Sequence, residues 1–571
     1  MKLVCTGSKN CPTYYIQKSV RIDGKSTTKT VERLGSLDEI KARSGGKDPI
    51  EWAKEYAKAL TLAEKEEKQN IIVKYSPGIS IRPDERRTAN IGYLFLQDVF
   101  YALGLNRICS TISSKYKFEF DLTAILSTLV YSRVIFPSSK RASLEHAKCF
   151  LENPKCSLHH IYRGLEIIAK ENDYFQAQLY KNSDALISRK KEVLYYDCTN
   201  YYFEIEEDDD FRKYGVSKEH RPNPIVQMGL FMDADGIPLS FSVFSGNENE
   251  QPSMTPLEKK IISDFGIEKF VVCTNAGLSS YANRKFNSSS SRRFITTQSI
   301  KKLPKHLREY CLSDDGWHLP GSRNTYKISQ LDSQADFDKT FYKDRWIVEN
   351  GLDQHLIVTF SLKYKNYQQT VRKRQIERAM TLKDNPSRIA KHSPNDPQRF
   401  ISLVHCTREG EIASNVSCTI DSDRIAKEAA YDGFYAVCTN LEDDPQRIIK
   451  ANRQRWEIEE CFRIMKSEFK ARPVYLSRKD RITAHFTTCF LALVIYRILE
   501  KKLKSRYTCG QIISALREMN MLICPGYGYI PAYSRTEITD ALHDAFGFRT
   551  DYQIITQRNM KKICSGTKCK K

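Results

Sequence analysis

Residues 192–205 read EVLYYDCTNYYFEI. β-Branched and aromatic side chains fill this run, a composition that predicts a strand. Asp197 sits in its middle, between Tyr196 and Cys198. A carboxylate among apolar neighbours costs free energy unless it is paired or binds a cation. An outward-facing strand position is the other reading of Asp197, and periodicity alone leaves it open.

Working outward, residues 224–246, PIVQMGLFMDADGIPLSFSVFSG, predict two strands around a turn at Asp233-Ala234-Asp235-Gly236. Asp233 and Asp235 read as turn formers first. A helical segment follows Pro256. KFVVCT (269–274) is a further strand, ending at Asn275-Ala276-Gly277. Three meandering strands, a helix and a fourth strand resemble the opening of a ribonuclease-H-like fold. Asn275 stands at a strand end beside a glycine, where a sheet presents catalytic groups. It offers one neutral oxygen where a carboxylate offers charge and two oxygens.

Residues 444–469, DPQRIIKANRQRWEIEECFRIMKSEF, predict one helix with Asp444 as cap and Pro445 at its first position. At about 100° per residue, Arg455, Glu459 and Lys466 share one face, with Arg463 beside it. A carboxylate flanked by cations suits a metal ligand next to phosphates. A salt-bridged solvated face, with Glu459 and Arg463 at i,i+4, is the equal alternative.

Towards the N-terminus, residues 13–35 alternate as a hairpin with Asp23-Gly24 at its turn. Residues 48–69 follow as a helix with Asp48 as cap and Pro49 at N1. From about 88 to 190 the period is helical, with stops at Gly104 and at Pro137-Ser138-Ser139. Such a domain suits DNA binding or a plain structural bundle. Between about 290 and 435 the sequence is polar and mixed. It holds strands at HLIVTFSLKY (355–364) and GFYAVCTN (433–440), a basic helix at TVRKRQIERAM (370–380) and a loop-like stretch at 384–398.

The whole chain has 571 residues, enough for three to five domains. Hydrophobic residues at 41% and charged residues at 28% exclude a wholly disordered chain. A net charge of +21 points to a polyanionic partner, nucleic acid first, with a merely basic cytosolic enzyme as the alternative. The 17 cysteines are scattered without paired knuckles, which argues against a structural zinc site and for reduced, buried thiols. The N-terminus lacks an apolar signal-peptide core, and Phe486–Leu499, interrupted by Arg497, is too short to span a bilayer. A cytoplasmic protein is expected.

Asn452-x2-Arg455-x3-Glu459-x6-Lys466 resembles the Y-x2-R-x3-E-x6-K signature of DDE transposases of bacterial insertion sequences, with Asn in place of Tyr. GVSKEHRPNPIVQMGLFMDADGIPL (215–239), FSGNENE (244–250), LIVTFSLKY (356–364) and CTNAGL (273–278) are also similar to members of this cut-and-paste superfamily. The similarity runs from about residue 10 to 500. It implies that Asp197 is the first acidic metal ligand and Glu459 the third. The second is expected as Asp in C-T-D-A-G-L, and here it is Asn275. Three such carboxylates would hold two Mg²⁺ ions, with Mn²⁺ as a substitute, for in-line attack on a phosphodiester. With Asn275 the ions bind less well and chemistry largely stops, while DNA binding survives. The substitution is either an introduced inactivation or the mark of a decayed or repurposed copy.

By the same resemblance Arg455, Arg463 and Lys466 contact phosphate at the cut site. Trp317 and Trp456 stack on an extruded base, or else simply pack. Lys218, His220 and Arg221 reach DNA, or else form a solvated loop. The expected architecture is an α/β multi-domain chain with a ribonuclease-H-like mixed sheet, an insertion domain and helical DNA-binding segments. Its parts are a β-hairpin and helix (1–75), a helical DNA-binding domain (76–190), a catalytic core (191–290 and 436–505), the insertion (291–435) and a C-terminal region (506–571). The expected partners are double-stranded DNA, as element ends and target, and a second copy in a homodimeric synaptic complex. No membrane is expected, and the location would be the bacterial cytoplasm at the nucleoid. The rival readings are a catalytically dead or domesticated DNA-binding protein and a metal-dependent nuclease of another pathway.

Overall fold

The computed structural model describes residues 1–8, 12–22, 25–69, 71–73, 75–289, 291–383, 396–405 and 416–569. The chain forms two compact units. One comprises Met1–Thr88, Met521–Ala532 and Thr550–Lys561, the other Ala89–Asn520, Tyr533–Arg549 and Lys562–Lys571.

In the first unit, strands Lys2–Thr6, Thr13–Ile22 and Lys25–Gly35 form an antiparallel sheet in chain order. The expected turn at Asp23-Gly24 lies outside the described residues. Helix Leu37–Ser44 starts at a capping box between Ser36 and Glu39. Helix Pro49–Gln69 starts where expected, because Asp48 Oδ1 accepts from the Ile50 and Glu51 amides at 3.0 and 2.8 Å. Ile16, Leu34, Ile40, Ala53 and Ala57 close the small core.

The second unit is built on a ten-stranded mixed sheet. From one edge to the other its strands are Thr325–Tyr326, Trp317–His318, Phe341–Glu349, Leu352–Phe360, Phe434–Thr439, Arg293–Gln298, Val271–Thr274, Val193–Tyr202, Ile225–Met232 and Pro238–Ser245. The five strands between residues 193 and 298 therefore lie side by side as third, second, first, fourth and fifth. The first three form an antiparallel meander, and the fourth and fifth run parallel to the first. Helix Met254–Phe265 supplies the crossover that a parallel neighbour needs. Phe434–Thr439 continues the sheet, antiparallel to Arg293–Gln298 on one side and to Leu352–Phe360 on the other. Ile401–His405 and Val416–Ile420 pair separately.

Most helical expectations are met in outline. Gly104 takes a left-handed φ of 64° between Tyr93–Ala102 and Leu105–Lys115, the conformation glycine supplies without steric cost. Leu122–Ile135 and Lys140–Ala147 flank the Pro137–Ser139 break. Helix Lys479–Lys502 is long and apolar enough by composition to cross a membrane, yet 94% of its most apolar window is buried inside the structure. It packs against Leu158–Lys170, Leu122–Ile135 and Tyr93–Ala102.

The single helix expected over 444–469 is instead three pieces. Pro445–Arg453 is capped by Asp444 as read from the sequence, Trp456–Arg463 follows a break, and Ile464–Glu468 is a π-helical turn. The break has an identifiable cause. The hydroxyl of Tyr195, on the Asp197 strand, donates to the Ala451 carbonyl at 2.8 Å. That carbonyl also accepts from the Gln454 amide at 3.2 Å, and the Arg455 amide, its regular helical donor, turns to Asn452 O at 3.3 Å.

Candidate active site

Sheet register places the first two residues. Tyr195 pairs with Cys273 in the parallel ladder. Carried two residues further, the ladder sets Asn275 beside Asp197. Asn275 Nδ2 donates to Asp197 Oδ1 at 2.8 Å, and the Cys198 amide donates to the same oxygen at 2.8 Å. Asn275 Oδ1 accepts from the amides of Gly277 and Leu278 at 2.8 and 3.1 Å, an Asx turn. The amide orientation is the one chemistry requires. Flipped, its oxygen would face a carboxylate and its NH2 would face two N–H groups.

Asp197 is only 7% exposed. Burial raises its pKa above the ordinary carboxylate value, while Lys218, the Cys198 amide and Arg455 pull it back and Glu250 adds to the rise. Arg455 joins it to the third residue. Arg455 Nη1 lies 3.9 Å from Asp197 Oδ2 and 3.2 Å from Glu459 Oε1. The Glu459 side chain is 59% exposed, so one guanidinium spans from a buried carboxylate to a solvated one.

The helical face drawn from 100° periodicity is not the observed one. Lys466 lies inside the π-helical turn Ile464–Glu468, and its Nζ pairs with Glu219 at 3.3 Å and not with Glu459. Burial first, then Lys218, bring the Lys466 pKa down to about 8, against the pull of Asp197. Arg463 pairs with Glu460 at 2.7 Å and Glu468 at 3.3 Å, so the Glu459–Arg463 pair of the solvated-face alternative is not the one formed. Asn452, standing where the signature has Tyr, is buried and donates to the Tyr435 hydroxyl at 3.0 Å.

Trp317 requires a correction. Its side chain is fully buried among Phe360 and Phe434, with Nε1 donating to Ser313 O at 3.0 Å. An indole enclosed on all sides has no face for a base. Trp456, by contrast, is 58% exposed. It lines a cavity of ≈ 700 Å³ together with Arg455, Glu459, Lys363, Tyr364 and Tyr367. Lys218 is exposed, yet it donates to the Cys198 carbonyl and pairs with Glu250 at 3.0 Å. His220 is exposed at a left-handed φ of 54°, and the Arg221 guanidinium sits 4.3 Å from the Tyr202 ring centroid. Asp233 is a turn former, buried on Arg189 at 2.6 Å.

Glu250 and Glu219, each paired with a site lysine, were not singled out as sequence candidates. Glu250 lies within FSGNENE, and its position there was the available signal. Glu219 lies within the 215–239 segment beside Lys218 and His220, and only its partners, Lys466 and Arg472, were out of reach of the sequence.

The donor set can be tested against two divalent ions. Asp197, Asn275 and Glu459 offer two carboxylates, not three, and Glu250, a further acid acting on Asp197, is paired with Lys218. One guanidinium already lies on both Asp197 and Glu459, and an amide N–H occupies the buried one. A hard cation is held by charge and oxygen number. The residues present therefore do not fit a two-ion centre.

Among curated proteins none matches the chain. Among solved structures, a cryo-EM structure of a piggyBac transposase synaptic complex with hairpin DNA is similar at 9% identity and a TM-score of 0.36, over 85% of this chain and 88% of that one. Residues 354–495, which carry Arg455, Glu459 and Lys466, match the family model described as a transposase DDE domain, and that match supports a transposase.

Proposed function

We propose that the chain is a DNA transposase of the DDE kind. It recognises the ends of its own bacterial insertion sequence and acts as a homodimer on two ends. Its metal-dependent cleavage and strand transfer are impaired by Asn275. The observation that carries this reading is the Arg455 guanidinium lying on both Asp197 and Glu459, two carboxylates far apart in sequence. The strand order third-second-first-fourth-fifth supports a ribonuclease-H-like core. The +21 charge supports a polyanionic partner. Lys363, Lys373, Arg374 and Arg378 are exposed on helix Leu362–Lys383, whose first turn lines the Trp456 cavity, and they offer phosphate contacts beside it.

A catalytically dead or domesticated DNA-binding protein is the second reading, and one observation favours it. Asp197 Oδ1 accepts from Asn275 and the Cys198 amide, and the Arg455 guanidinium already supplies a positive charge 3.9 Å from Oδ2. Binding is tested by fluorescence anisotropy on duplexes carrying the element's ends and on random duplexes, across a salt series. The expected result is end preference with log affinity falling linearly with log salt, because Lys and Arg release condensed counterions. Equal affinity for both duplexes at every salt concentration would point to a general nuclease.

A further inference from the structure

A second cavity, of ≈ 340 Å³, lies between the Pro137–Ser139 break and the chain that follows the π-helical turn. Arg133, Lys140, Lys470, Arg472 and His485 line it, and among the described residues no Asp or Glu does. Lys140 is only 5% exposed, and its Nζ has no hydrogen-bond partner among the described residues. Arg133 is also buried. It donates from Nη1 to Phe469 O and from Nη2 to Ser138 O, both at 3.0 Å, and its Nε is left without a partner. The hydrogen bonds of Arg133 thus tie the two walls together and hold one N–H in reserve.

An ammonium buried without counter-charge is costly. Burial first, then Arg133, push the Lys140 pKa down to about 7, with Cys489 opposing. The backbone adds to the imbalance. Lys140 begins helix Lys140–Ala147, so the positive end of the helix dipole and the Ser139 cap stand at the same place. His485 supplies no negative charge. Its Nε2 is 3.0 Å from Ala471 O, and burial holds its pKa well below the usual value.

We propose that this cavity binds a phosphate oxyanion, held by the Lys140 ammonium and the Arg133 guanidinium at the start of helix Lys140–Ala147. An oxyanion supplies the acceptors that both buried donors lack, as charge-assisted hydrogen bonds. Two sources share this chemistry: a phosphodiester of a nucleic-acid strand and free inorganic phosphate. Glu219 pairs with both Lys466 and Arg472, which places the cavity wall next to the candidate active site. Tyr475, at the cavity's solvated side, is exposed. The site's existence does not depend on whether the chain cleaves DNA.

Isothermal titration of the full chain with inorganic phosphate, against chloride at equal ionic strength, tests the proposal. Lys140→Gln should weaken the phosphate site about 10- to 100-fold, the loss expected for one charged hydrogen bond. Lys305→Gln removes the same charge from an exposed helix and should leave the site unchanged. Displacement of phosphate by a single-stranded oligonucleotide lacking terminal phosphates identifies a strand phosphodiester as occupant, and retention identifies free phosphate. No saturable phosphate site, or equal affinity in Lys140→Gln, overturns the proposal. If Lys140→Gln does not fold, the wild-type Tm decides. A saturable rise with phosphate at constant ionic strength supports the site, and a flat Tm overturns it.

Discussion

Asn275 Nδ2 and Asp197 Oδ1 stand 2.8 Å apart as donor and acceptor. The contact joins the end of one parallel strand to the middle of its neighbour. It satisfies a buried carboxylate with a neutral partner at the place where the resembled family has a second acid.

Replacing that donor by a carboxylate reverses the local electrostatics. In Asn275→Asp two acids would face each other at hydrogen-bond distance, and each would raise the other's pKa. Without divalent cations the variant should have a lower Tm than wild type at pH 7. Mg²⁺ should raise the Tm of the variant and leave wild type unmoved. The variant should also gain Mg²⁺-dependent cleavage of element ends, by about 10²-fold or more over wild type, and Asn275→Asp with Glu459→Gln should not. Robust Mg²⁺-dependent cutting by the Asn275 protein would remove this residue from the site.

Glu258 tests the core electrostatics away from the site. It is buried on helix Met254–Phe265, with Oε1 accepting from Asn287 Nδ2 at 2.8 Å and Oε2 unpartnered. Burial lifts its pKa from 4.5 to about 7, against Asn287 and Arg292. The folded chain then holds a proton that the unfolded chain has released, so stability falls as pH rises from 4.5 through 7. Glu258→Gln should be more stable than wild type at pH 8, on the order of 3 kcal/mol. The gap should close below the unfolded carboxylate pKa. Denaturant melts at several pH values read it, and a pH-independent gap would contradict the cause given.

Lys466 carries a pKa brought down to about 8, so the free protein loses this charge as pH rises through that value. If Lys466 contacts phosphate, affinity for DNA should fall across pH 7 to 9 at constant salt. Lys466→Arg stays charged throughout and should flatten that slope. Anisotropy titrations at each pH compare the two. Parallel slopes would show that Lys466 does not meet the DNA.

The two tryptophans should separate binding from folding. Trp456→Ala removes an exposed ring at the cavity mouth and should weaken DNA binding by about 1–3 kcal/mol, the usual worth of one stacked base, with little change in Tm. Trp317→Ala empties a core position and should cost about 3–5 kcal/mol of stability. A Trp456→Ala protein that binds end DNA as tightly as wild type would end its stacking role.

Much of the fold was legible because it rests on local rules. Alternation and β-branched runs marked the strands around Asp197 and Asn275, and Asp48-Pro49 and Asp444-Pro445 marked two helix starts. Gly104 and Pro137 marked where helices stop. Asp197, Asn275, Arg455 and Glu459 are marked in the sequence by their chemistry and by a motif.

What the tertiary structure alone decided comes from contacts between distant segments. Whether a tryptophan is core or cleft depends on what covers it, so Trp317 and Trp456 look alike in sequence and end in opposite places. The 444–469 helix reads as continuous, and its first interruption lies where the Tyr195 hydroxyl, from a strand 256 residues earlier, reaches Ala451 O. Lys466 and Arg472 share Glu219 only because the chain folds back on the 211–221 loop. Lys140 is an ordinary first-turn lysine by sequence, and packing alone buries its ammonium without a counter-charge. Sequence sets periodicity, caps and charge, which act over a few residues. Burial and pairing are decided by the surfaces that the folded chain brings together.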